Sequence, residues 1–422
     1  MKHVIVTNTG NTKQARQLAE RGDLRILFVT EPRFVDQYPE GTELALVDDL
    51  NDPEAVTAAV TAARQLGEFT HVLALSERAS QAAAHLRSHL GLPGPSFDTV
   101  VNCTDKQVMK QRFREAGLPT ARHALAADAA GLAAALGETG YPAIVKPVIG
   151  AGADATEVVR SAADLATPAV QAYLDRLAHP ATTSEKAFPV VVEQYLDVLN
   201  EYHCDGLVTD GEVTYVRVSR YLKPVLAYGE GGVFGSHLLD QDSAEAAVVR
   251  ELHERAVRAV GLRDGVTHFE ALETADGILA GEIACRPGGG GIRRMLQLDS
   301  GFDTWGAYIA SSFGEAYEVP SAAGAPDSGA ADAGLLVEML FPAVRGTVTA
   351  ISAAEDFTAI PGVIEVDMRL KAGDTVGGLM DSSTVSGLVF ARTSADRDVS
   401  ALVRDVEAAF RMETAAPEEA AA

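Results

Sequence analysis

Glu270 and Glu282 are of the type, and at the spacing, that could hold a divalent cation. They lie in two strand-like runs, 265–273 and 278–286, on either side of the turn Thr274-Ala275-Asp276-Gly277, which reads as a β-hairpin. If Asp276-Gly277 is a two-residue turn, Glu270 opposes Ile283 and the two acids lie on opposite faces. If Ala275, Asp276 and a left-handed Gly277 make a three-residue loop, Thr274 opposes Ile278 and Glu270 opposes Glu282. In that register two facing carboxylates are destabilising unless a cation lies between them, and two carboxylates with phosphate oxygens suit Mg²⁺. The two-residue period sends His268 and Arg286 to the same face, and a glycine run, 288–291, follows. A solvated acidic hairpin would explain either glutamate alone, but explains less well two opposed acids flanked by His and Arg.

Three further segments carry weaker signals. Thr104-Asp105-Lys106-Gln107 has capping-box spacing with Thr104 as the N-cap, which places Lys106 in a first helical turn. There it either bends into solvent or meets an anion bound at the helix end. The run 141–147 is a strand finishing in Lys146-Pro147, followed by Gly150-Ala151-Gly152-Ala153-Asp154-Ala155-Thr156. A cation beside a small-residue loop can hold phosphates, although the lysine precedes the glycines and so excludes a Walker P-loop; an ordinary strand terminus with a turn remains the alternative. The strand Val190 to Leu196 could offer backbone groups to a purine, or could simply be a core strand.

These segments need elements to position them. Residues 1–100 alternate strand and helix signals, predicting an α/β domain with a parallel sheet. Residues 101–320 turn to strand pairs and glycine loops, an α+β body whose small lobe is about 120–195. Small and turn residues at 321–334 predict a linker or loop, 335–412 a β-rich C-terminal unit ending in an amphipathic helix, and 413–422 a disordered tail.

With 422 residues, roughly three domains are expected at about 150 residues each. The formal charge of −24 repels a phosphate backbone, so nucleic acid and anionic membranes are excluded as partners. There is no apolar run of about 18 residues and no secretory leader, and the three scattered cysteines fit a reduced, cytoplasmic setting. Cys204 and Cys285 read as packed small hydrophobes.

Taken in order, Lys106, Lys146 with its glycine loop, the strand edge 193–196, the pair Glu270 and Glu282, and Arg286 with its glycines resemble the ATP-grasp superfamily. Within it the chain looks like the carboxylate–amine ligases, most closely the L-amino acid ligases that make dipeptides. The resemblance implies an α/β and α+β architecture: a Rossmann-like pre-ATP-grasp domain, a two-lobed grasp and a small C-terminal β-rich domain. It implies ATP and Mg²⁺, with Mn²⁺ as a substitute, small amino acid or carboxylate substrates, and a homodimer.

By resemblance Lys106 and Lys146 contact the α- and β-phosphates, and Gly150, Gly152 and Thr156 belong to the loop covering the triphosphate. Gln194 and Leu196 bind adenine through their backbones, with Glu193 against adenine and Glu201 against ribose. Glu270 and Glu282 ligate Mg²⁺, and Arg286 stabilises an acyl phosphate. His268 joins Arg286 as a catalytic candidate. Arg294, with Arg293, either clamps a substrate carboxylate or lies on the surface. The glycine-rich segment 228–237 is either a lid or a passive connection. The implied reaction activates a carboxylate with the γ-phosphate and lets an amine displace phosphate, joining two amino acids by an α-peptide or γ-glutamyl bond. Alternatives are conjugation of some other carboxylate, or a non-catalytic nucleotide-binding protein on the same fold. Three departures stand out: Ala284 holds the place of an Asn that often completes a second metal site, Glu201 is one residue further from Leu196 than expected, and the glycine loop carries Ala151, Ala153 and Ala155.

Overall fold

The computed structural model describes residues 1–10, 12–63, 67–150, 155–179, 187–320, 334–377, 384–394 and 398–415, with the backbone alone for 228–230. Near the N-terminus, apolar β-branched runs form a parallel sheet in the order Leu44–Leu46, Leu24–Thr30, Lys2–Thr7, His71–Ala74. Val4, Val6 and Phe28 bury one face, while Ile5, Leu27 and Val29 pack on the other against helices Pro53–Ala62 and Ser80–Leu90. This two-sided burial is why the strands read as continuous apolar runs.

A second, antiparallel sheet has the order His123–Ala126, Val190–Gln194, Ala143–Pro147, Glu157–Val159. Its core packs under helices Leu132–Thr139 and Pro168–Ala178. The largest sheet has eight strands in the order Gly277–Ala284, Gly265–Thr274, Asn200–Thr209, Glu212–Tyr221, Phe234–Leu238, Leu336–Pro342, Val385–Arg392, Val363–Met368. The last three belong to the C-terminal region, so its strands extend the central sheet through the pair Ser236↔Glu338. A small sheet of Thr375–Val376, Gly346–Ile351 and Met412–Ala415 completes the fold.

Strand alternation divides the large sheet into a packed face and a polar face. Tyr202, Cys204, Val218, Phe269 and Ala271 pack against helix Ala244–Val260, which Ser243 caps and Gly261 ends in a left-handed conformation. Glu201, His203, Asp205, His268 and Glu270 alternate with those residues, because the register pairs His268 with Asp205 and Glu270 with His203.

Several expectations are corrected. Thr104 ends helix Phe97–Thr104, and Asp105 caps the next helix, Lys106–Glu115, by accepting from the Val108 N–H at 3.0 Å. Asp is a better N-cap than Thr, so the helix starts one residue later than the capping-box spacing predicted. Residues 413–415, expected in the tail, pair with Gly346–Ile351 as an edge strand. Segment 228–237 is neither purely loop nor lid, since Phe234–Leu238 is an interior strand of the large sheet. The expected linker, apart from Gly334, lies outside the described residues. Among the described residues no helix is long and apolar enough to cross a membrane.

Candidate active site

A cleft of about 600 Å³ lies between the second sheet and the polar face of the large one. Lys106, Lys146, Gly150, Thr156, Glu193, Gln194, Leu196, Glu201, His268, Glu270, Glu282 and Arg286 all line it. Gly152 lies outside the described residues.

The hairpin that carries Glu270 and Glu282 reaches its geometry by a third route. Thr274 pairs with Gly277 across a two-residue turn of Ala275 and Asp276, a register in which the two glutamates would not face each other. A bulge between Phe269 and Ala271 then shifts the register, so that Phe269 opposes Ile283 and Glu270 faces both Gly281 and Glu282. Gly281 is required there, because a Cβ would come within 2.9 Å of the Glu270 carbonyl oxygen. The opposition of the acids is therefore set by the bulge rather than by a three-residue loop.

Three lysines converge on Glu282 and Glu193. Lys146 Nζ lies 2.7 Å from Glu282 Oε1 and 3.1 Å from Glu193 Oε1. Lys106 Nζ lies 3.7 Å from Glu282 Oε2 and donates to the Gly150 carbonyl. Lys110, which the sequence reading did not single out, is buried and places Nζ 3.2 Å from Glu193 Oε2 and 3.0 Å from the Gly281 carbonyl. It stands one helical turn from Lys106 on the same helix face, the signal that could have found it. Burial opposes ionisation of Glu282, yet Lys106, Lys146 and Lys110 overcome it and hold this carboxyl well below the usual carboxylate range. Burial also opposes the charge on Lys146, and Glu193 and Glu282 outweigh it to hold the ammonium above its ordinary value. The cluster carries three positive and two negative charges, a net positive wall facing the cleft.

On the other side, burial and then the nearby Glu270 push Glu201 up to about 8, and the Val225 N–H donates to it at 2.8 Å. Glu270 receives the Tyr221 hydroxyl at 3.4 Å and lies 3.4 Å from His268 Nε2. His268 Nδ1 is 2.9 Å from Asp205 Oδ1, and Asp205 Oδ2 is 2.6 Å from His203 Nδ1. Burial disfavours a charged His268, but Asp205 outweighs it and raises the imidazole to about 10. Arg286 Nε donates to Glu77 Oε2 at 2.7 Å, with a second hydrogen bond from the same guanidinium to that oxygen. Glu77 follows the parallel strand His71–Ala74, where ligands of open α/β sheets collect, and that placement was its sequence signal.

Arg294 is corrected. Its guanidinium pairs with Glu365 on strand Val363–Met368, with Nε 2.9 Å from Oε2, and it does not line the cleft. Arg293 lies over the Trp305 ring at 5.7 Å. The helical period of Ile292–Ser300 turns both arginines away from the face that Ile292, Met295 and Leu296 bury. The three cysteines are free and buried, and the two acidic candidates supply hard oxygen donors of the kind a magnesium ion takes.

Residues 338–415 match the family model for the L-amino acid ligase C-terminal domain 2. The L-arginine-specific L-amino acid ligase of Bacillus subtilis is 29% identical over 364 residues, covering 85% of this chain and 84% of that protein. The crystal structure of an L-amino acid ligase from Bacillus licheniformis superposes with a TM-score of 0.72 at 18% identity, covering 98% of this chain and 99% of that one. An ATP complex of carboxyaminoimidazole ribonucleotide synthase from an Aspergillus clavatus source superposes with a TM-score of 0.64 at 16% identity, covering 96% and 98%.

Proposed function

We propose, from the premise that this chain is an ATP-grasp ligase of the L-amino acid ligase type, that its cleft joins two amino acids by way of an acyl phosphate. ATP and two amino acids are the substrates, and the products are a dipeptide, ADP and phosphate. The observation that carries the reading is the convergence of Lys106, Lys146, Glu270, Glu282 and Arg286 on one cleft from four separate segments of the chain.

Each residue has a physical task. Lys106 and Lys146 supply the positive charge that a triphosphate needs, and Gln194 and Leu196, which line the same cleft, would offer their backbone groups to a purine. Glu270 and Glu282 would hold Mg²⁺, which when bound neutralises phosphate charge during transfer. With Ala284 in place of a third oxygen donor, these two carboxylates account for one ion. Lys146, now paired with Glu282, would free that carboxylate for a metal ion and turn its own charge to phosphate, and the ion pair keeps both groups charged and in place. Arg286, fixed by Glu77 and by its own hydrogen bond to the Pro287 carbonyl at 2.9 Å, faces the developing negative charge of the acyl phosphate.

The test is to mix purified protein with Mg·ATP and pooled amino acids, then read nucleotides and condensed masses by mass spectrometry. ADP together with a mass equal to two amino acids less one water supports the proposal. ATP turnover without a condensed product, or formation of AMP, opposes it.

A further inference from the structure

Glu338 is a single acid inside the apolar run 335–341, and the reaction as described gives it no task. It comes from the C-terminal region, is buried, and lines the same cleft as Arg286, Gly289, Gly290 and Ile292. Ser236 is its cross-strand partner and donates to Oε1 at 3.0 Å. His203 Nε2 lies 2.8 Å from that hydroxyl, and the acceptor-only Asp205 carboxylate fixes the other ring nitrogen. Oε2 is buried and accepts no hydrogen bond of good geometry, with the Gly291 backbone N–H facing it. It sits over Gly291, where a Cβ would come within 2.3 Å of it. A buried carboxylate oxygen without a well-formed hydrogen bond is costly unless a ligand takes it up.

We propose that Glu338 binds the ammonium group of the acceptor amino acid and takes its proton, with Ser236 and His203 as positioning residues. The inference rests on the ligase reading. In the step, the ammonium gives one proton to the Glu338 carboxylate and becomes a neutral amine. Its lone pair forms the C–N bond at the acyl carbon, the C–O bond to phosphate breaks with its electron pair, and the second amine proton leaves with the phosphate.

The electrostatics suit the transfer. Burial pushes the Glu338 carboxyl up to about 8, against smaller opposing pulls from the Ser236 hydroxyl, the Gly291 backbone N–H and the His268 charge. That is close to an ordinary α-amino group at about 7.7–8.0, the match that favours proton transfer near neutral pH. The groups facing it are Ser236, Asp205, His268, Tyr221 and the Gly291 backbone, while its other neighbouring strand pairs it with the uncharged Phe390.

Hydroxylamine separates this role from carboxylate activation, because it is already neutral at pH 7 and traps an acyl phosphate without a base. With Mg·ATP and an amino acid pair found by mass screening, Glu338→Gln should lower kcat/KM for dipeptide formation by roughly 10²- to 10⁴-fold. Hydroxamate formation should stay near the wild-type rate, which also shows that the variant is folded. Ser236→Ala should move the acid limb of the dipeptide pH profile upward by roughly one pH unit, since the carboxylate loses a donor. Equal losses in both assays, or undiminished dipeptide formation in Glu338→Gln, would overturn the proposal. A wild-type protein forming neither product removes the ligase reading, and this proposal with it.

Discussion

Glu282→Gln probes the charge balance of the cleft. The substitution keeps the shape and removes one negative charge, so the cluster of three lysines and two glutamates goes from a net +1 to +2. Glu282 gives up a charged hydrogen bond from Lys146 at 2.7 Å. Such a bond contributes about 1.5–3 kcal/mol, and the partial exposure of the side chain favours the lower end, so unfolding stability should fall by about 1.5 kcal/mol. ATP responds in the opposite direction. An extra net positive charge facing the phosphates in a well-solvated cleft amounts to about 1 kcal/mol, so metal-free ATP should bind roughly fivefold tighter. The ability of Mg²⁺ to strengthen binding should nevertheless disappear, and with it turnover. Calorimetric titration of ATP in EDTA and again in excess Mg²⁺, alongside ADP release, reads all three quantities. Weaker metal-free binding, an intact Mg²⁺ effect or wild-type turnover would refute the reasoning.

Arg286→Ala should lower kcat by roughly 10²–10³-fold while ATP affinity changes far less, because its charge is needed when the acyl phosphate forms; an unchanged kcat removes it from the mechanism. Arg294→Ala should leave steady-state kinetics near wild type and cost at most about 1 kcal/mol, since its pair with Glu365 is exposed; a large rise in the amino acid KM would return it to the site. His253 is fully buried beside Thr267, and burial depresses its imidazole to about 4. A depressed histidine contributes stability that is present above its unfolded value of about 6.5 and lost as pH falls toward 4. Denaturant unfolding from pH 7 to 4 should therefore show a decline that is shallower in His253→Gln, and parallel curves would contradict it.

The N-terminal parallel sheet was legible because two-sided burial writes itself as apolar runs, and the cleft residues were legible because their order along the chain resembles a known family. The elements missed were set by long-range pairing. No local signal tells that Leu336–Pro342 pairs with Phe234–Leu238, so the C-terminal strands read as a separate unit. The hairpin acids were placed opposite one another for the wrong reason, since a bulge made possible by Gly281 compensates for a two-residue turn. Arg294 followed a glycine run and looked like a clamp until the helix turned it toward Glu365. Lys110 and Glu338 left clear traces, a lysine one turn beyond Lys106 and a lone acid in an apolar strand. Reading them as site residues needed their partners, Glu193 and Ser236, which are remote in sequence.

The central claim is that the γ-phosphoryl group passes to a substrate carboxylate before the amine attacks. Supplying the donor amino acid with ¹⁸O in its carboxylate, together with Mg·ATP and the acceptor, and weighing the released phosphate tests it directly. The account predicts one ¹⁸O in the phosphate for each dipeptide formed. Phosphate free of label, with the dipeptide still produced, would contradict it.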